Sequence, residues 1–287
     1  ALAAILLAFV SYQALFLGTV AGFVGSALLV VSVLLPSPHS TAPRGIYDRT
    51  TRGIRIYLNT PRLRGLLSLN LAAAAAGAMV LVNTVVLIKA NLGLGDAQVA
   101  LTLGAFGAGS MLAALLLPRL LDERPDRPIM IGGAAVLVVS LMILSLASLL
   151  YGTHWGSLLA GWFMIGIGYS AVLTPSGRLL KRSAHAEDRP AVYAAQFALS
   201  HVCWLITYPT AGWLMTFAGA AVAFATLAVL ATAGLLGGAI LWSRDDTALI
   251  THTHDDLPDG HPHLKDGRSH SHPIVIDDYH QHWPRLR

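Results

Sequence analysis

The chain has 287 residues; 55% are hydrophobic, only 12% are charged, and the formal net charge is +4. Soluble domains carry about 25% charged residues, so composition argues against an ordinary soluble enzyme. The basic residues are spaced between apolar runs, which argues against a nucleic-acid partner, and a single cysteine excludes a disulfide scaffold.

A helical span needs about 20 apolar residues. Residues 1–35 are one apolar block that would make a helix of roughly 52 Å, too long for one crossing. It is expected to break near Ser11-Tyr12-Gln13, leaving the end of one span and a full span at about 15–35; one long tilted helix is the alternative. The chain starts without Met inside this run, with no charged leader and no cleavage site. It therefore reads as truncated at the N-terminus, not as carrying a signal peptide. Segment 36–64 follows, with Pro36, Pro38 and Pro43 at its start, and reads as the longest internal loop. Six further spans are predicted at about 65–88, 95–118, 128–151, 155–177, 191–215 and 219–243. Residues 244–287 are a polar tail with 13 charged residues and eight of the twelve histidines. The domain reading is the end of one half (1–35), a central loop (36–64), a six-helix bundle (65–243) and a tail (244–287).

Loop charge orients these spans. Of the 19 Lys and Arg residues, 18 fall in segments 36–64, 119–127, 178–190 and the tail; Lys89 alone lies on the other side. Basic loops favour the cytoplasm, which places the tail there.

A basic loop containing Gly53-Ile-Arg-Ile-Tyr-Leu-Asn-Thr-Pro61-Arg-Leu-Arg64, followed by six spans, resembles the centre and C-terminal half of the major facilitator superfamily. The family's Gly-x-x-x-Asp-Arg loop motif is loosely present in Pro118-Arg-Leu-Leu-Asp122-Glu-Arg124, with Pro118 where Gly is expected. Two segments carry a closer resemblance. One is Ala194-Ala-Gln-Phe-Ala-Leu-Ser-His-Val-Cys-Trp-Leu-Ile-Thr-Tyr-Pro209 with Ala211-Gly-Trp213. The other is the tail, with His252-Thr-His-Asp-Asp-Leu-Pro258, His261-Pro-His-Leu264 and Ile276-Asp-Asp278. Together they resemble bacterial facilitators associated with nickel resistance. The resemblance implies an all-α polytopic membrane bundle in a bacterial inner membrane and export of a divalent metal.

No Asp or Glu lies inside a span, so a midplane carboxylate for proton relay is absent from these spans. Span 191–215 is the most polar. Gln196, Ser200, Cys203 and Thr207 share one helical stripe, with His201, Trp204 and Tyr208 on the next. The functional reading is a cavity wall with His201 as proton carrier or transient cargo ligand; the structural reading is helix–helix hydrogen bonding. Pro209 is a kink site. Asn70, Asn83 and Tyr169 are further cavity candidates, and Asn70 and Asn83 diverge by about 140° on a straight helix. Gly104-x-x-Gly107-x-Gly109 lies inside an apolar span and reads as close helix packing, not nucleotide binding. No Ser-His-Asp set or Walker loop appears, so neither enzyme chemistry nor ATP-driven transport is expected.

The tail holds four His-x-His units: His252/His254, His261/His263, His270/His272 and His280/His282. An extended backbone puts i and i+2 on one side, and neutral imidazole suits Ni, Co, Zn and Cu ions. The tail is thus a candidate metal-binding arm, with low-complexity solvation and pH sensing as alternatives. Segment 274–276 is apolar enough to dock on the protein or form a short strand.

The sequence points to a secondary transporter with the lipid bilayer, a small cargo or metal ion, and protons as coupling ion for partners. No cofactor is required, and the tail is able to bind a divalent metal (Ni, Co, Zn or Cu). The leading cargo is a divalent metal such as nickel. The alternatives are a drug or small-metabolite exporter with a sensing tail, and a membrane metal sensor that does not transport.

Overall fold

The computed structural model describes residues 12–33, 45–243, 250–253, 269–272, 275–277, 280 and 283. Its helices are α1 (Tyr12–Ser32), α2 (Ile46–Asn59), α3 (Pro61–Val85), α4 (Asp96–Glu123), α5 (Asp126–Tyr151), α6 (Trp155–Leu173), α7 (Ser176–Arg182), α8 (Arg189–Phe217) and α9 (Gly219–Leu241). A π-helical turn, Val86–Asn91, extends α3. Five of the predicted crossings are long and apolar enough to span a membrane: Pro61–Asn91, Asp96–Glu123, Asp126–Tyr151, Trp155–Arg182 and Gly219–Leu241. Of the other two, 191–215 is the 29-residue α8, in which the polar residues dilute the apolar ones, and the span expected at about 15–35 is met by the shorter apolar helix Phe16–Ser32.

Sequence boundaries shift where local chemistry extends a helix. Pro61 occupies the first turn of α3, where its fixed φ suits helix entry and no N–H is missed. Asp96 opens α4 beside the helix N-terminus, and the Gln98 side chain accepts the Gly95 amide at 3.2 Å. α4 continues past Pro118 to Glu123, and α8 runs through Pro209 without ending.

Segment 36–64 is not simply a loop. Residues 46–59 form a helix that packs on α8, and 61–64 already belong to α3. Residues 34–44 lie outside the described residues, and so does everything before Tyr12; of the break expected near Ser11-Tyr12-Gln13, only the helix from Tyr12 onward is described.

α3 is the central element and packs against α9, α8, α6 and α5. Its most apolar stretch is 72% buried, against 17% for α4 at the edge. Residues 72–76 are five alanines followed by Gly77, and small side chains let several helices approach one backbone closely. α4 pairs with α6, α5 with α6 and α9, and α8 with α3 and α9. The α4–α6 contact is backbone on backbone. A Cβ on Gly109 would stand 2.0 Å from the Phe163 carbonyl oxygen, and one on Gly166 would stand 2.1 Å from that of Phe106. Gly104 and Gly107 face open space, so helix packing holds for Gly109 only among the three glycines of that pattern.

Beyond α9, β1 (Ile250–Thr253) pairs antiparallel with β2 (Ser269–His272). The fold is an all-α helical bundle with this one short ribbon among the described residues of its tail.

Candidate functional site

Two regions of the bundle concentrate polar and aromatic chemistry: an aromatic row at mid-span and an ionic network at the arginine-rich end.

The aromatic row crosses three helices. Phe106 on α4 meets Tyr169 on α6 edge-on, with centroids 5.6 Å apart. Tyr169 meets Trp204 on α8 at 6.5 Å, and Trp204 meets Tyr208 one turn on at 4.8 Å. The row rests on α3: a Cβ on Gly77 would stand 2.6 Å from the Trp204 ring and 3.2 Å from Tyr169. Phe106, Tyr169 and Trp204 are half-buried, and Tyr208 is exposed. Such rings present broad apolar faces with a polar edge.

The other predicted cavity residues divide. Tyr169 and Tyr208 lie in the row. Thr207 and Cys203 are buried instead of lining an open wall, because their stripe turns toward the bundle. Gln196 accepts a hydrogen bond from the Tyr57 hydroxyl of α2. Burial keeps that phenol protonated by pushing its pKa up. The Ser200 hydroxyl donates to its own helix at Phe197 O, 2.9 Å away. His201 is exposed; its Nδ1 pairs with the same carbonyl at 2.7 Å, and its ring lies 4.1 Å from that of Phe197. Asn83 has a packing role: its amide donates to Ala211 O at 3.0 Å, tying α3 to α8. Asn70 is 4% exposed, and neither its Nδ2 nor the Thr207 hydroxyl has a hydrogen-bond partner among the described residues.

The ionic network was not legible from sequence spacing, since its partners are far apart. Buried Asp126 accepts two hydrogen bonds from Arg178, at 2.9 and 2.6 Å, and pairs with Arg182 at 3.5 Å. This joins the start of α5 to α7. Asp122 and Arg124 of the loose motif are exposed, so the interior carboxylate at this corner is Asp126. Arg127 caps α9, donating to Trp242 O at 2.8 Å and Ala239 O at 2.9 Å. Arg62 donates to Ser183 Oγ at 2.7 Å and Arg182 O at 3.2 Å. At the opposite end Lys89, the one basic residue off the pattern, pairs with Asp96 at 2.6 Å.

A groove of about 450 Å³ between α5 and α6 is lined by Val136, Val139, Ile143, Ala160 and Met164, among others. The hydroxyls of its Ser140 and Ser157 already donate to backbone carbonyls, so it presents an apolar surface.

In the tail, the ladder sets His252 opposite His270, and His272 opposite Ile250. His280 is buried and its Nδ1 meets Asp277 Oδ1 at 3.1 Å. His254, His261, His263 and His282 lie outside the described residues. Among the described residues, no three His, Cys, Asp or Glu converge on a common point.

Residues 66–265 match the family model of the Major Facilitator Superfamily, covering α3 from residue 66 on and every helix from α4 to α9. The chain belongs to the Major Facilitator Superfamily. No curated protein matches it. As a major facilitator it is a multi-pass membrane transporter. Its surroundings are therefore lipid along the apolar flanks, and its cargo is small.

Proposed function

We propose that this major facilitator is a secondary active exporter of an aromatic or amphipathic organic molecule, with Phe106, Tyr169, Trp204 and Tyr208 contributing the cargo surface. The observation that carries this reading is the aromatic row itself: four rings from three helices, packed on the glycine of a fourth. Rings bind flat apolar solutes by stacking and organic cations through their π-faces. Spans without internal carboxylates suit such a cargo better than a bare divalent ion. The basic loops favour a cytoplasmic position for the arginine-rich end and the tail. Alternating access would expose the row to each side in turn, with protons as the coupling ion and a bacterial inner membrane as the location.

The test is ethidium flux in proteoliposomes under an imposed pH gradient, using the full chain. Trp204→Ala is expected to lower flux at least several-fold, whereas Leu205→Ala, on the exposed side of α8, leaves it unchanged. Wild-type flux no higher than that of empty liposomes would sink the reading.

A second reading keeps a divalent metal such as nickel as ligand or cargo. The backbone register that sets His252 opposite His270 favours it, because neutral imidazole suits nickel. Nickel titration of the full chain, compared with His252→Ala and His270→Ala, tests the arm. Nickel flux above background tests transport. Nickel binding with no flux of either probe would instead support a non-transporting sensor.

A further inference from the structure

Three ties converge on the connection 183–188 between α7 and α8. Arg62 of α3 reaches Ser183, Arg52 of α2 reaches Asp188, and Asp277 of the tail reaches His185, with Nε2 and Oδ2 3.3 Å apart. The third tie comes from a segment that follows the last helix. It is backed by apolar contact: Ile276 is 3% exposed within the core cluster, and Trp283 packs against that cluster. The Arg62 guanidinium sits 5.2 Å from the Trp283 ring centroid, within cation–π range. Asp277 also closes a turn on its own segment. Its Oδ1 accepts the His280 backbone N–H at 2.7 Å, while its own N–H donates to His280 O at 3.2 Å.

We propose that the tail, docked through Ile276, Asp277 and Trp283, acts as an intramolecular strap. Docked, it restrains the connection 183–188 and the first turns of α8; released, it loosens them. Among the described residues, Ile276 and Trp283 dock it by apolar and cation–π contact and Asp277 by its pair with His185, and a short segment outside the helices can open locally without unfolding the bundle. α8 carries Gln196, Trp204 and Tyr208, so a restraint at its start acts on the helix that bears half of the aromatic row. The bearing on transport rests on the cargo reading above; the restraint itself does not.

Amide hydrogen exchange on the full chain in lipid nanodiscs tests the strap without any cargo. In the wild type, peptides covering 275–283 and 183–196 are expected to be protected. Asp277→Ala and Trp283→Ala should each speed exchange about tenfold or more in both peptides, while peptides from α5 stay unchanged. Wild-type exchange of 275–283 at the rate of an unstructured peptide overturns the proposal. So does a variant that loosens the tail and leaves 183–196 as it was.

Discussion

The Arg52 guanidinium lies fork to fork on the Asp188 carboxylate: Nε donates to Oδ1 at 2.6 Å and Nη2 to Oδ2 at 2.9 Å, both groups buried. This pair, 136 residues apart in sequence, fastens α2 to the start of α8. Removing one member takes from the other its buried fork-to-fork partner. Arg52→Ala is expected to cost about 3–5 kcal/mol, read as a lower melting midpoint in detergent. Arg52→Ala combined with Asp188→Ala should cost clearly less than the two single changes summed. Strict additivity would show that the pair is not a unit.

Asn70 and Asn83 should respond to the same substitution with opposite signs. Asn83→Leu removes a hydrogen bond to Ala211 O, and a loss of about 1 kcal/mol in stability is expected. Asn70→Leu removes a buried amide whose Nδ2 is unsatisfied, so the melting midpoint should rise or hold. A large drop for Asn70→Leu would contradict an unsatisfied Nδ2.

Gly166→Ala would push a methyl onto the Phe106 carbonyl oxygen, 2.1 Å away. The α4–α6 contact must open, with an expected cost of about 1–3 kcal/mol. Because Phe106 and Tyr169 sit beside this contact, ethidium flux should fall as well. Gly107→Ala, which meets nothing within 4 Å, is expected to change neither. Equal effects from the two would refute the packing account.

His185 gives the strap a pH dependence with a defined sign. Its hydrogen bond to Asp277 is the largest influence and raises its pKa above the ordinary 6.5, with the nearby charges of Asp277, Asp188 and Glu187 adding to it and burial opposing. Docking therefore favours the protonated ring. That contribution is fully present below the undocked pKa and is lost as pH rises through the higher docked value. Exchange protection of the 275–283 peptide is expected to weaken as pH rises above the ordinary histidine value, after correction for the intrinsic exchange rate. His185→Gln should flatten the profile, and a profile as steep in that variant would assign the dependence to another group.

Much of the architecture was legible in hydropathy and charge. Six helices stand within a few residues of the spans expected after residue 64, and five of them are apolar enough to cross a membrane, because a span's length is set by local apolar composition. The amphipathic α2 hid inside a segment rich in arginine and proline, where loop charge is the stronger signal and the 3.6-residue period of Ile46–Asn59 is short. The polar stripe of α8 was visible as a stripe, but its direction was not. Periodicity places Thr207 and Cys203 together without saying which neighbour they face, and here they turn into the bundle.

The sequence by itself determined that this is a polytopic helical membrane protein, and its basic residues divide the bundle into a charged end and a sparse one. Both follow from transfer free energies that each residue carries wherever it sits. Tertiary structure alone decided which residues meet. It brought Phe106, Tyr169 and Trp204 into one row, set Arg52 on Asp188, and paired the tail's Asp277 with His185. Those pairings depend on crossings between helices distant in sequence, which no local pattern of apolar and polar residues encodes.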